Sequence, residues 1–469
     1  MVCADLDGTL IATDLLYENL LELVKQHPAR LFQVPFWWMR GRPYLKSRLA
    51  AAAPLNAARL PYRQEVVDKV VRLRAHGAHT VLATASHQTH AANVAAHLGC
   101  FDEVLATADG VNLKGSAKAH ALTEKFGDNF LYLGDSAADL PVWAAAREGI
   151  VVGSPRLAQR AAKVTQVREV VHVPHGGWRA YWKALRPHHW SKNVLLLLPL
   201  LLAHRFAAHA WLLTILGMLF FGFGASAIYI FNDLLDLPSD REHPWKRHRP
   251  FASGRLSIAQ GLLIAPLLLV ACVGGGLLLL GWHFALAAAF YCALSMAYSL
   301  VFKRKPLLDV FVLTSFYGLR IITGALITST PLSHWFLVFS MFFFFSLALA
   351  KRYSELKHAG ALVEKGNSGR GYRPEDSPLL AMMGVTSAFA AVIVFSFYSH
   401  SPEVSHLYPH PAGLLMIAPL LLYWLVRVWL QAGRGELKED PVTLAMRDPV
   451  SYAVGAASAL CILITFFWR

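Results

Sequence analysis

Ten residues, Asn232-Asp233-Leu234-Leu235-Asp236-Leu237-Pro238-Ser239-Asp240-Arg241, place three carboxylates and a carboxamide at the end of the apolar run from Trp211 to Phe231. A run of roughly 20 apolar residues is long enough to cross a bilayer. Ionisable groups at such a depth are costly, so they mark functional positions. Hard cations such as Mg²⁺ take oxygen ligands and commonly share them with substrate phosphates. Asp233 and Asp236 fall on one helical face, and Asp240 would lie below Asp236 in a continuing helix. Pro238 argues against continuation and puts Asp240 in the loop just beyond. Lys246, Arg247 and Arg249 follow at once, so a merely solvated acidic helix end explains the segment poorly. Carboxylates and cations gathered at a membrane surface predict a metal–phosphate site.

A second constellation lies near the N-terminus. Residues 2–10 read as a short strand followed by Asp5-x-Asp7-Gly8-Thr9, and only four residues precede Asp5. Thr80-Val-Leu-Ala-Thr84-Ala-Ser86 is a second apolar strand ending in hydroxyls. Lys114 and Lys118 precede or open a helix, and Leu131-Tyr-Leu-Gly134-Asp135-Ser136-Ala-Ala-Asp139 is a third strand ending in paired carboxylates. In a parallel sheet such strand ends converge on one crevice, where ligands bind.

The elements that position these groups divide the 469-residue chain in two. Up to about residue 175 strands and helices alternate in a mixed, soluble-looking composition. From about Val194 onward apolar runs recur between short charged loops. Nine spans are expected: Val194–His209, Trp211–Phe231, Ile258–Leu280, Phe284–Val301, Val310–Ile327, Trp335–Ala350, Leu379–Tyr398, Gly413–Leu430 and Tyr452–Trp468. Lys and Arg crowd the loops after the second, fourth, sixth and eighth spans, whereas the opposite loops carry almost none, Arg205 excepted. That bias predicts a multi-pass protein of a bacterial-type inner (plasma) membrane. The basic loops and N-terminal part would be cytoplasmic, and the C-terminus outside. The net charge of +14 is then mostly a topology signal. No basic face on a soluble domain supports a nucleic-acid partner.

Cys3, Cys100, Cys272, Cys292 and Cys461 are scattered without metal spacing, which predicts small buried apolar residues in a reducing compartment. The chain opens directly on a strand and its catalytic-looking turn, so no cleavable signal peptide is expected. Glu364–Asp376, rich in Gly, Ser and charge, reads as a loop.

The four N-terminal motifs, in this order over residues 1–172, resemble the haloacid dehalogenase (HAD) phosphatase superfamily. The resemblance implies a Rossmann-like α/β domain with a helical cap over about residues 11–73. Asp5 would attack phosphorus and Asp7 would protonate the leaving oxygen. Thr84 and Lys118 would hold the phosphoryl oxygens, with Lys114 competing for the last role. Asp135 and Asp5, with or without Asp139, would bind Mg²⁺. A carboxylate attacking an anionic phosphate needs such cations and donors to neutralise charge. A degenerate domain kept for docking or regulation is the alternative.

Asn232-Asp233-x-x-Asp236-x-x-x-Asp240 at a helix end among nine spans resembles the UbiA superfamily of intramembrane prenyltransferases. An all-α polytopic domain over 194–469 would follow a linker and interfacial helix at 173–193. Aromatic prenyltransferases of that family carry a second Asp-rich motif after the fourth span. Here Lys303, Arg304, Lys305 and a lone Asp309 stand there, with Leu313 four residues on. Together with the stretches around Arg186–Asn193, Asp240–Gly254 and Ala350–Leu356, this resembles the decaprenyl-phosphate phosphoribosyltransferase branch. That branch moves 5-phosphoribose from phosphoribosyl diphosphate (PRPP) to a polyprenyl phosphate. Asp233 and Asp236, with Asp240 as a further ligand, would hold Mg²⁺ against the diphosphate beside Asn232. Lys192, Lys246, Arg249, Lys303, Asp309, Arg320 and Lys351 would contact phosphate-bearing groups; for each cation a topological or snorkelling role is the bland alternative. Trp190, Tyr298 and Tyr353 read as interfacial anchors before substrate platforms. The competing functions are prenyl transfer from a prenyl diphosphate to an aromatic acceptor, and a transporter or scaffold.

Overall fold

The computed structural model of the chain describes residues 1–108, 112–173, 176–359, 371–437, 441–445 and 447–467. Contacts divide it into two compact units, Met1–Leu185 with Tyr229–Pro266, and Arg186–Ile228 with Leu267–Arg469. The first therefore joins the N-terminal α/β region to the segment that carries the Asp233 motif.

Its centre is a parallel sheet ordered β3-β2-β1-β4-β5-β6: β1 Val2–Ala4, β2 Thr80–His87, β3 Glu103–Thr107, β4 Leu131–Gly134, β5 Glu148–Gly153 and β6 Gln166–His172. The central strands are almost uninterrupted apolar runs, as parallel strands covered on both faces must be. Side chains alternate between faces. Val2, Ala4, Leu82 and Leu133 enter one core with Leu6, Leu10, Val66 and Val94. Cys3, Val81, Ala83 and Tyr132 enter the other with Leu122, Val142 and Trp143. β1 has only three residues, yet β2 and β4 pair with it on either side.

The insert after β1 is helical. Asp14 caps α1 (Leu15–Gln26) by accepting from Leu16 N, the usual work of an N-terminal carboxylate. A 3-10 stretch at Pro28–Gln33, α2 (Val34–Met39) and α3 (Arg42–Ala52) follow. Leu23, Trp37, Leu45 and Leu49 give the insert a small core of its own. The Tyr229–Pro266 segment packs on this region: Arg241 Nη2 donates to Glu18 Oε1 of α1 at 2.6 Å. Gly254 has φ +71°, and a Cβ there would stand 2.8 Å from that of Ala12.

Eight helices among the described residues are long and apolar enough to cross a membrane: Ala208–Leu235, Ile258–Leu280, Trp282–Leu300, Leu308–Thr328, His334–His358, Pro374–Ser399, Pro411–Arg434 and Pro449–Phe467. The protein is a multi-pass membrane protein. The expected first span, Val194–His209, is not such a helix. A 3-10 stretch at Pro187–Leu197 and a five-residue helix at Leu198–Leu202 replace it, between residues with positive φ at Arg186 and His204. Pro187 and Pro199 remove backbone donors, and side chains stand in for the missing regularity. Asn193 donates to Met218 O at 3.1 Å, and Trp190 Nε1 to Ser226 Oγ at 2.9 Å. The cysteines are free, and all but the half-buried Cys461 are buried. Most of the loop expected at Glu364–Asp376 lies outside the described residues, as do Lys365, Arg370, Lys438 and Arg469; a turn at Pro374–Asp376 is described.

Asn193 is also the acceptor for Arg320 Nε, at 3.0 Å, so it ties the broken segment to the Leu308–Thr328 helix. Hydrogen bonds between membrane segments contribute about 1–2 kcal/mol each at most. Asn193→Leu is therefore expected to lower the unfolding temperature of the detergent-purified protein by several degrees, while Ser315→Ala on an exposed helical face leaves it unchanged.

Candidate functional site

The soluble site forms where β1, β2 and β4 end. Asp5 follows β1 and its N–H donates to Leu133 O of β4, which fixes its backbone despite the short strand. Lys118, on the Ser116–Phe126 helix and 2 % exposed, donates to Asp5 Oδ1 at 2.8 Å and to the Tyr132 hydroxyl at 2.9 Å. Tyr132 donates in turn to Asp139 Oδ1 at 2.9 Å. Lys114 precedes that helix. Gly8 lies against Asp135: with φ +77°, its Cβ would stand 2.0 Å from Oδ2, so only glycine fits. Asp5, Asp135 and Asp139 can bring one oxygen each within 4.8 Å of one another. That oxygen-only donor set suits a hard divalent cation.

Asp7 is held apart from that cluster by its own partners. Ser86 Oγ donates to Oδ2 at 2.6 Å and Leu15 N to Oδ1 at 2.9 Å. Burial and the neighbouring Asp14 push Asp7 up to about 7. Burial pushes Asp5 up to about 6, against the pull of Lys118, and Asp135 rises well above the ordinary carboxylate range for the same reason, with Asp5 and Asp139 adding to it. Burial disfavours the Lys118 ammonium, but Asp5 and Asp139 outweigh it and raise its pKa. A carboxyl near 7 can deliver a proton, and a carboxylate beside a fixed ammonium can attack.

Thr84 is fully buried and accepts from Ser86 N at 3.0 Å. Two side chains here went unassigned in the sequence. Ser86 stood in the quoted strand, but nothing there separates it from Thr84. Lys46 of α3 donates to Ala85 O at 2.6 Å and Asn112 Oδ1 at 3.0 Å; its surroundings in sequence are uniformly basic, which hides it.

The second site lies at the end of the Ala208–Leu235 helix. Asp233 and Asp240 are both 2 % exposed and share one guanidinium: Arg249 Nη1 donates to Asp233 Oδ1 at 3.1 Å and Asp240 Oδ2 at 2.6 Å. Asp236 is half-buried. Asp240 is not in a loop, contrary to expectation. A short helix, Leu237–Glu242, begins after Asp236, and Asp240 N donates to Asp236 O at 2.9 Å. Pro238 falls in its first turn, where a missing N–H costs nothing. Two buried carboxylates thus converge on a cation already. Burial raises the Asp240 pKa in spite of Arg249. Asn232 is half-buried and Lys246 exposed.

In the other unit Asp309 is fully buried and accepts from Arg352 Nε at 2.5 Å and from the Tyr372 hydroxyl. Arg352, 2 % exposed, also reaches Glu355 at 2.5 Å and Tyr298 at 2.9 Å. Tyr298 and Trp190, expected as interfacial anchors, thus turn inward. Arg352 was missed because Lys351 beside it looked equivalent, although adjacent helical positions face different ways. Arg320 donates to Asn193, Phe316 O at 2.7 Å and Tyr291 at 3.0 Å, and its guanidinium lies 4.9 Å from the Tyr291 ring centre. Lys192 sits over Tyr317 at 5.7 Å; Lys303 and Lys351 are half-buried.

A parallel α/β domain with carboxylates at its strand ends, joined to eight bilayer-length helices among the described residues, defines a multi-pass membrane protein with an N-terminal α/β domain. Residues 194–447 match the UbiA prenyltransferase family, and the chain belongs to that family. Residues 2–143 match haloacid dehalogenase-like hydrolase. The chain is 42 % identical to the uncharacterized protein y4nM of Sinorhizobium fredii, over 98 % of this chain and 89 % of that one. It is 36 % identical to nodulation protein NoeC of Azorhizobium caulinodans, over 62 % of this chain and 94 % of that one. It is 30 % identical to decaprenyl-phosphate phosphoribosyltransferase of Corynebacterium glutamicum, over 61 % of this chain and 86 % of that one.

The crowded carboxylates of the soluble site have a consequence for stability. Their pKa values in the folded protein lie above the unfolded ones, so their contribution is complete below about pH 4 and lost as pH rises through 6 to 7. A cation bound by Asp5, Asp135 and Asp139 would offset that loss. Mg²⁺ is expected to raise the unfolding temperature of chelator-treated protein clearly at pH 8 and little at pH 5, as scanning fluorimetry would record; Asp135→Asn should abolish the difference.

Proposed function

We propose that the membrane domain transfers 5-phosphoribose from PRPP to a polyprenyl phosphate, and that the HAD-like domain then removes the 5-phosphate. The lipid phosphate oxygen attacks the anomeric carbon of PRPP, the bond from that carbon to the diphosphate breaks, and inorganic diphosphate leaves. Asp233, Asp236 and Asp240 would hold Mg²⁺, which neutralises charge on the departing diphosphate. Arg249, already between two of those carboxylates, would shift to a phosphate oxygen when the metal binds. Lys192, Asn232, Lys246, Lys303 and Lys351 remain the proposed phosphate contacts. Asp309 and Arg320 support them from positions engaged with other protein groups.

The observation that carries this reading is the state of Asp309. A second metal on a prenyl diphosphate would need free carboxylates at that position. Here Asp309 is paired with Arg352 and accepts from the Tyr372 hydroxyl, and Leu313 stands where a second carboxylate would fall. The similarity to decaprenyl-phosphate phosphoribosyltransferases supports the same donor and acceptor. With ribose-labelled PRPP, label should enter the lipid fraction only when polyprenyl phosphate and Mg²⁺ are both supplied. Asp236→Asn should reduce it by at least 100-fold in a protein that still inserts. Transfer of a prenyl group to an aromatic acceptor would instead establish the alternative.

For the second step, Asp5 attacks phosphorus, Asp7 gives its proton to the departing sugar oxygen, and water then hydrolyses the aspartyl phosphate. Lys118 and Thr84 would steady the phosphoryl oxygens. Asp5, Asp135 and Asp139 would hold Mg²⁺, which balances the charge of nucleophile and phosphate.

The proposed topology has the N-terminal domain and basic loops on the cytoplasmic side of the inner membrane and the C-terminus outside. The chain leaves the first compact unit at Leu185 and rejoins it at Tyr229, while the Ala208–Leu235 helix crosses once. Residues 187–207 must then cross too, as an irregular segment. Seven bilayer-length helices among the described residues follow Ala208–Leu235, so the two ends of the chain fall on opposite sides. Reporter fusions after Leu185 and Phe467 should be active in opposite compartments; activity in the same compartment would overturn this path.

A further inference from the structure

The helical insert of the soluble domain carries a surface that its proposed chemistry leaves unused. Phe32, Phe36, Trp38 and Met39 are 82, 67, 65 and 84 % exposed, within eight consecutive residues. Their neighbour Trp37 is buried and anchors α2 to the insert's core, so the exposed side chains are presented by a packed element. Soluble domains rarely leave so many large apolar groups together in water, and those that do bind a partner or a membrane there.

Charge identifies the partner. Between Glu22 and Glu65 the chain has no acidic residue and eight Lys or Arg. Arg30, Arg40 and Arg42 flank the apolar side chains directly, and all three are exposed or half-exposed. Aromatic rings and Met ringed by arginines match the interface of a bilayer with anionic headgroups. A protein partner would have to be both acidic and deeply apolar. The domain is also tethered, because its compact unit contains the end of the bilayer-length Ala208–Leu235 helix.

We propose that residues 30–42 are a bilayer-docking surface. Phe32, Phe36, Trp38 and Met39 enter the boundary between headgroups and acyl chains, and the three arginines pair with anionic lipid phosphates. The surface connects to the reaction site through one short element. Gly41, at φ +100°, turns α2 into α3, and α3 carries Lys46 to Asn112 and to Ala85, which lies between Thr84 and Ser86 of the site. Docking would hold the mouth of the soluble site where a lipid-linked phosphate can reach it. That consequence rests on the phosphatase reading; the docking itself does not.

The full-length protein in nanodiscs of phosphatidylglycerol and phosphatidylcholine tests this directly. A nitroxide on Met39→Cys, and separately on Phe36→Cys, would be probed by power saturation with oxygen and with a nickel chelate. His120→Cys, on an exposed helical face, supplies the water reference. We expect the labels at 36 and 39 to be oxygen-accessible and nickel-shielded, and the label at 120 the reverse. Arg30→Gln, Arg40→Gln and Arg42→Gln together should move both labels toward water. Labels that stay nickel-accessible would overturn the proposal, and so would labels shielded from both reagents, which would mean a protein contact. A second readout replaces Phe32, Phe36, Trp38 and Met39 with Ser. Hydrolysis of soluble ribose 5-phosphate should persist while hydrolysis of a lipid-linked sugar phosphate falls at least tenfold. If the wild type hydrolyses neither, the phosphatase reading fails, and the nitroxide depths still decide the docking.

Discussion

Charge removed from water must be matched at close range, and most of this protein's architecture answers that demand. Desolvating a carboxylate costs several kcal/mol, and deleting one partner of a buried pair typically costs about 3–5 kcal/mol. Each buried acid here has an answer of a different kind. Asp5 and Asp139 face Lys118; Asp233 and Asp240 share Arg249; Asp309 is closed off by Arg352 and Tyr372. At Asp309 the Arg352 guanidinium, which also reaches Glu355, and the Tyr372 hydroxyl supply the match. Around Asp5, Asp135 and Asp139 carboxylates outnumber fixed cations, and such a surplus suits a divalent cation.

The same demand links the two acidic sites within one compact unit. Asp7 accepts from Leu15 at the start of α1, and α1 presents Glu18 to Arg241. Arg241 adjoins Asp240, which shares Arg249 with Asp233. Glu18 and the Arg241 side chain are largely buried, so the pair is shielded from the screening that weakens surface bridges. The helix that fixes the proposed acid of one reaction thus rests on the short helix whose Asp240 is proposed to bind metal in the other. Such adjacency suits two consecutive steps, since a tethered second catalyst meets its substrate at high effective concentration.

The sequence exposed the parts of this design that depend on residue type and spacing. Asp5-x-Asp7, Thr84 and Asp135 stood at strand ends, which a parallel sheet has to bring together, and Lys118 stood at the start of a helix. The Asp233 motif stood out because acids are rare beside a membrane span. What stayed hidden depends on which way a side chain turns or on local backbone economy. Arg352 could not be separated from Lys351, nor Ser86 from Thr84. Arg320 looked like a substrate contact because a charge deep in an apolar run reads as functional, yet its donors go to Asn193, Phe316 and Tyr291. Pro238 read as a stop signal, but a proline in the first turn of a new helix is harmless. The irregular course of residues 187–202 was invisible because hydropathy reports apolarity and not backbone regularity.

The two proposed reactions meet on one lipid, and the mass of that lipid tests them most directly. Purified full-length protein would be given Mg²⁺, PRPP and a polyprenyl phosphate, and the lipid products of wild type and Asp5→Asn compared by mass spectrometry. The wild type should give a polyprenyl-phospho-ribose, and Asp5→Asn the same lipid heavier by one phosphate group. A wild-type lipid that keeps its 5-phosphate would contradict the second step. A polyprenyl phosphate that gains no ribose at all would contradict the first, and with it the central claim.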